Sequence, residues 1–92
     1  MPRTRRAGTL PSIPRYLLHH RHAPQDCGAA FAAFRGHHSP LRHQATPASC
    51  LHGGHDVWWT VDAATAQEAL ALLPSFVAER TTATRVDDVV VP

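Results

Sequence analysis

The segment Asp56–Val61 constrains the fold of this chain more than any other part of the sequence. It alternates as a β-strand does, which places Val57 and Trp59 on one face and Trp58 on the other. Both faces of this strand carry a large aromatic side chain, so both faces of its sheet need cover. The chain has 92 residues and can form one small domain. Helices can cover one face, and we expect a second copy of the chain, in a two-fold homodimer, to cover the other.

Periodicity and turn residues predict the remaining elements. Cys27, Ala30, Phe31 and Phe34 form an apolar helical stripe, and Gly53–Gly54 is typical of a hairpin turn. The order β-α-β-β-α-β predicts a ferredoxin-like α+β fold, with a four-stranded antiparallel sheet and two helices on one face. The predicted elements are strand Arg15–His22, helix Pro24–Arg35, strand Ala48–Leu51, strand Asp56–Val61, helix Thr65–Leu73 and strand Thr84–Val91.

Charge and proline content divide the chain into a tail and a domain. Residues 1–14 contain three prolines and three arginines without apolar periodicity, which predicts a disordered basic tail ahead of a single domain over residues 15–92. From Asp26 onward four arginines face seven acids, so we expect no nucleic-acid surface on the domain. No apolar run is long enough for a membrane span or a signal sequence. We therefore expect a cytoplasmic protein with reduced cysteines and no membrane partner.

Three segments resemble small bacterial dimeric α/β-barrel proteins, namely Tyr16–Leu18, His55–Asp62 and Glu68–Pro74. That group includes actinobacterial domains of unknown function, some of which bind nickel, and its superfamily includes antibiotic-biosynthesis monooxygenases and muconolactone isomerases. The resemblance spans about residues 15–92. It implies a ferredoxin-like domain that dimerises into a barrel, and it carries no catalytic residue over to this chain.

His20, His22 and Cys27 form the first candidate metal site. Two histidines two positions apart on a strand point to the same side and can reach one ion. Cys27 opens the next predicted helix, where a thiolate is favoured. Two imidazoles and a thiolate suit nickel, copper or zinc. The alternative is a pair of histidines beside a core cysteine, because Cys27 also lies on the apolar stripe.

Cys50, His52 and His55 form a rival candidate site around the Gly53–Gly54 turn. The alternative here is a tight hairpin with solvated histidines, since the glycines serve the turn without any ligand. In the four-stranded fold we expect the first and third strands to run parallel. The two candidate sites would then lie at opposite ends of the sheet, roughly 16 Å apart, and only dimer packing could join them.

These features favour a small protein that binds a transition metal ion, nickel, copper or zinc, through histidine and cysteine. Two other classes stay open. One is a cofactor-independent enzyme of the antibiotic-biosynthesis monooxygenase or isomerase type, whose mark would be a closed pocket lined by Trp, Tyr and a buried His. The other is a dimerising accessory module without catalysis.

Overall fold

A computed structural model describes residues 13–92 and shows a three-stranded antiparallel sheet packed against short helices. The strands are ordered β2-β1-β3 across the sheet. In chain order the elements are β1 (Arg15–Arg21), a 3₁₀ turn (Pro24–Asp26), α1 (Cys27–Ala32), a second 3₁₀ turn (Cys50–His52), β2 (Asp56–Asp62), α2 (Ala66–Leu70), α3 (Ser75–Ala78) and β3 (Thr81–Val86).

β1 is the central strand of the sheet and pairs antiparallel with β2 on one side and β3 on the other. Leu18 is fully buried and lies opposite Trp59 on β2, while His20 lies opposite Val57. Helices α2 and α3 add Ala69 and Val77 to this face. The core therefore lies between one face of the sheet and the helices. Trp59 belongs to the core, whereas Trp58 lies half-buried on the opposite face, stacked on His19 with ring centroids 5.2 Å apart.

The helices are short, and their ends follow the local sequence. The Thr65 hydroxyl caps α2 by accepting a hydrogen bond from the Glu68 amide at 3.1 Å, as the spacing of these two residues predicts. Pro74 follows the second predicted helix, which is observed only over Ala66–Leu70, and α3 begins directly after this proline. The first predicted helix also shortens, because it begins as a 3₁₀ turn and ends before Gly36, which has a φ of +75°. No helix among residues 13–92 has the length and apolar character that crossing a membrane requires.

The predicted four-stranded ferredoxin-like sheet is wrong, because Ala48–Leu51 does not form a strand. Only Ala48 makes a β-bridge, to Val57. Immediately afterwards Cys50–His52 coils into a 3₁₀ turn that ends at Gly53 with a φ of +88°. This segment contains no β-branched residue and has little preference for an extended chain. The described helices also number three rather than two.

The expected strand Thr84–Val91 is displaced toward the N-terminus of the chain and is observed at Thr81–Val86. Its end is set by its partner, because Arg15 at the start of β1 pairs with Val86. Beyond that point no described residue pairs with the strand, and Val89, Val90 and Val91 are exposed.

The expected tail, residues 1–14, lies almost wholly outside the described residues, which start at Ile13. The carbonyl oxygen of Pro14, the last residue of the expected tail, accepts a hydrogen bond from the Ala63 amide at 3.0 Å. The expected homodimer concerns the sheet face that carries Leu17 and Trp58, both half-buried in one chain. Dimerisation through this face stays a prediction.

Leu18→Ala tests the placement of the core. Leu18 is 0% exposed and Leu51 is 94% exposed, so the same change at the two positions is a matched pair. We expect Leu18→Ala to lower the free energy of unfolding by about 2–5 kcal/mol, measured by urea denaturation. Leu51→Ala should change it by no more than about 0.5 kcal/mol. Equal losses at the two positions would contradict the described core.

Candidate metal centre

Antiparallel pairing of β1 with β2 brings the end of one strand beside the start of the other. Arg21, the last residue of β1, lies opposite Asp56, the first residue of β2. The pairing continues one step beyond the sheet, where the His22 amide donates to the His55 carbonyl oxygen at 3.1 Å. The chain segments after His22 and before His55 therefore lie side by side.

Four side chains from these two segments converge at this end of the sheet: His22, Cys27, Cys50 and His55. Each offers one ligand atom, and the four atoms all lie within 4.8 Å of one another. Cys50 Sγ and His22 Nε2 are 3.7 Å apart. In a tetrahedral zinc site the corresponding sulfur–nitrogen separation is about 3.5 Å. The arrangement could hold one metal ion with two thiolates and two imidazoles.

The cluster is shielded but not sealed. His22 is buried at 8% exposure, and the other three members are half-buried. The Nδ1 atom of His55 is buried and has no hydrogen-bond partner among residues 13–92. A buried ring nitrogen without a partner is costly, and a metal ion is one group that would satisfy such an atom.

Ser49 holds the segment that carries Cys50 and His55. Its amide donates to the Asp56 carbonyl oxygen at 2.9 Å, and its hydroxyl accepts from the Asp56 amide at 3.1 Å. Its carbonyl oxygen accepts from the Gly54 amide, also at 3.1 Å. These bonds close the turn on itself. Gly54 is needed there because a Cβ would lie 2.9 Å from Ser49 Cβ and still closer to its hydroxyl oxygen.

Asp56 fixes the same end of the sheet from its opposite face. Its carboxylate accepts a hydrogen bond from His19 Nε2 at 2.8 Å and pairs with Arg21 Nε at 3.2 Å. The hydrogen bond from His19 is the main reason that the pKa of the Asp56 carboxyl lies below its ordinary value. The strand ends that carry His22 and His55 are therefore held together by side chains as well as by the backbone.

Burial favours the neutral forms of His22 and Cys50. It lowers the pKa of His22 below the ordinary histidine value, and the neighbouring His55 ring lowers it further. Burial also raises the pKa of the Cys50 thiol, with contact to Cys27 as the second cause. A dication bound here would supply the positive charge that stabilises thiolates.

The observed cluster contains two residues from each of the two rival candidate sites. His22 and Cys27 come from one, and Cys50 and His55 from the other. His20 and His52 stay outside the cluster: His20 hydrogen-bonds to His22 from behind, and the His52 side chain is exposed. The expected separation of the two sites depended on parallel first and third strands. Their observed antiparallel pairing overturns that separation.

A mirrored spacing in the sequence marks this arrangement, and residue-by-residue reasoning missed it. The chain reads His-x₄-Cys from His22 and Cys-x₄-His from Cys50. Mirrored motifs become neighbours when the adjoining strands pair antiparallel, because one strand runs toward the site and the other away from it.

The fold and the cluster define a small α+β protein with a possible Cys₂His₂ metal centre. Comparison with protein-family models, with curated proteins and with solved structures finds no match to this chain. The resemblance to dimeric α/β-barrel proteins therefore stays a prediction, and the functional argument rests on the site itself.

Gly54→Ala tests the turn, and Gly28→Ala is its control. A Cβ at Gly54 meets Ser49, whereas a Cβ at Gly28 in α1 meets nothing within 4 Å. We expect Gly54→Ala to lower the free energy of unfolding by about 1–3 kcal/mol, and Gly28→Ala to raise it by up to about 1 kcal/mol. Thermal unfolding of the metal-free variants measures both. A Gly54→Ala variant as stable as Gly28→Ala would show that the turn is not packed as described.

Proposed function

We propose that this protein binds a transition metal ion, zinc in the first place, through His22, Cys27, Cys50 and His55. The observation that carries the proposal is the convergence of four ligand atoms within 4.8 Å. Two chain segments far apart in sequence supply two ligands each. The four residues lie on paired strand ends, and the hydrogen bonds of Ser49 hold the segment that carries two of them, which is not expected of a chance cluster on the surface.

The donor set favours zinc over the other metals that the sequence suggested. Two thiolates with two imidazoles are typical of tetrahedral zinc sites. Copper(II) and nickel(II) more often take square-planar or tetragonal nitrogen and oxygen ligands. Four protein ligands also leave no open position, which is typical of a structural rather than a catalytic zinc ion. The proposed role of the ion is therefore to hold the fold together.

The small size of the core supports a structural role. Its fully buried large side chains are Leu18, His20, Val57 and Val77, and one of the four is polar. A single core of this size provides little stability, and small domains often add a metal ion. The segment between α1 and β2 has no regular element before Cys50. The ion would fasten the two ends of that segment to each other.

The enzyme alternative has less support. A groove of about 390 Å³ lies beside Phe31, Phe34 and Trp59 and is open to solvent. Neither Tyr16 nor His20 lines it, so it is not the closed pocket of Trp, Tyr and buried His that this alternative requires. Zinc binding would not exclude a second role at this groove. That the protein is a dimerising accessory module without catalysis also stays a prediction.

Replacing single ligands tests the proposal. We expect Cys27→Ser, Cys50→Ser, His22→Ala and His55→Ala each to lower zinc affinity by at least ~100-fold, since losing a ligand should exceed the loss from an outer-shell partner. Cobalt(II) substitution should give the visible and thiolate charge-transfer bands of a tetrahedral Cys₂His₂ site in the parent protein. Zinc should displace the cobalt and abolish these bands.

His52→Ala and His38→Ala are the matched controls for these variants. Both side chains are exposed, and neither belongs to the cluster. Both variants should bind zinc as the parent protein does. Loss of binding in His52→Ala would instead favour the rival set of Cys50, His52 and His55, and a parent protein that binds no zinc would refute the proposal.

Zinc should also raise the stability of the fold. An ion that binds only the folded chain adds about 2.7 kcal/mol when its free concentration is 100 times its Kd. We expect the melting temperature to rise with zinc and to return to its metal-free value on adding a chelator. The Cys27→Ser variant should show no such rise. A melting temperature independent of zinc in the parent protein would argue against a structural ion.

A further inference from the structure

His20 stands directly behind one of the proposed ligands. Its ring is 1% exposed, and both of its nitrogens have partners. Nδ1 lies 3.2 Å from the Val77 carbonyl oxygen and 3.2 Å from Thr81 Oγ1. Nε2 lies 3.0 Å from His22 Nδ1. No nitrogen of His20 is left for a metal ion, so its role must be exerted through its neighbours.

The direction of these hydrogen bonds follows from the Val77 carbonyl, which can only accept. The Thr81 hydroxyl already donates to the same carbonyl at 2.7 Å, so it offers only lone pairs to His20. Nδ1 of His20 must therefore carry the proton. A neutral imidazole has one N–H and one lone pair. Consequently Nε2 of His20 accepts, and the proton between the two rings belongs to Nδ1 of His22.

The consequence for His22 is a fixed tautomer. With its proton on Nδ1, its lone pair is on Nε2, the atom that lies 3.7 Å from Cys50 Sγ and faces the cluster. The other tautomer would put a proton where a metal ion must bind. Metal-bound histidines generally donate their second ring N–H to an acceptor that fixes the tautomer and the ring orientation.

We propose that His20 is a positioning residue, which holds His22 in the Nδ1–H tautomer so that Nε2 is free to bind metal. We call the two hydrogen bonds from His22 to His20 and from His20 to the Val77 carbonyl the relay. Because Val77 lies in α3, the relay ties the orientation of the ligand His22 to an element that belongs to neither ligand motif. The effect on metal affinity rests on the proposed function, whereas the tautomer is a property of the metal-free protein.

The tautomer can be measured without any metal. Long-range ¹H–¹⁵N correlation spectra at a pH of about 7.5, above the ordinary histidine pKa, separate protonated from unprotonated ring nitrogens. In the chelator-treated parent protein we expect His22 to be protonated on Nδ1. His20→Leu removes the acceptor and should shift His22 toward Nε2–H. His20→Gln, whose amide oxygen can accept, should restore the original pattern.

Leu18→Met is the control for a mild change in the core. It keeps the volume of a buried β1 side chain that makes no hydrogen bond to His20 or His22, so the fold should persist and the His22 spectrum should keep the parent pattern. Finding His22 protonated on Nε2 in the parent protein would overturn the proposal. So would a His22 tautomer that does not change in His20→Leu.

A double-mutant cycle with zinc tests the effect on metal binding. We expect His20→Leu to lower zinc affinity by roughly 10–100-fold and His20→Gln to recover most of it. In a His22→Ala background, His20→Leu should cause no additional loss, because the relay has lost its target. Equal losses in both backgrounds would mean that His20 acts through packing alone. If the parent protein binds no zinc, the proposed function fails, and the tautomer measurement still decides the relay.

Discussion

Backbone pairing between β1 and β2 is the interaction on which the rest of the structure depends. Its register sets Leu18 against Trp59 and thereby builds the core on one face. The same register ends with Arg21 beside Asp56, and it continues in the hydrogen bond from the His22 amide to the His55 carbonyl. Slipping the pairing by one residue would turn the core face outward and would also separate the two halves of the metal centre. Fold and site therefore share one geometric determinant.

Much of this fold could be predicted where the pattern is local. Alternation located β1 and β2 to within a residue, and the Thr65–Glu68 spacing located the start of α2. The failures have causes that these local patterns do not contain. The end of β3 depends on where β1 begins, which the sequence of β3 does not contain. Ala48–Leu51 was predicted as a strand, but the Ser49 carbonyl accepts from the His52 and Gly54 amides, and the Ser49 hydroxyl accepts from the Asp56 amide, so the chain turns after Ser49. Such side-chain bonds compete with the ladder bonds of a sheet.

The sequence was sufficient to predict a histidine and cysteine metal site, but it was not sufficient to predict which four residues form it. Sequence spacing identified histidines and cysteines that could reach one ion, and all four cluster members are among them. The choice between them depends on strand direction, which brings Cys27 and Cys50 together from distant parts of the chain. It also depends on side-chain contacts. His20 looks equivalent to His22 by alternation, yet the Val77 carbonyl and His22 itself occupy both of its nitrogens.

The mirrored His-x₄-Cys and Cys-x₄-His motifs place different limits on the length of the loop between them and on the spacing inside each motif. A metal ion here would act as a cross-link that closes the loop between Cys27 and Cys50. The entropy of closing a loop grows only with the logarithm of its length, about 0.6 kcal/mol for each doubling. Insertions and deletions at the exposed positions 42–45 of this loop would therefore be tolerated at little cost, whereas α1 and Ser49 are held by their own contacts. Inside each motif the four intervening residues form a 3₁₀ turn or a tight bend, so a change in either spacing would move a ligand off the site. Homologous chains should vary in the loop and keep both spacings.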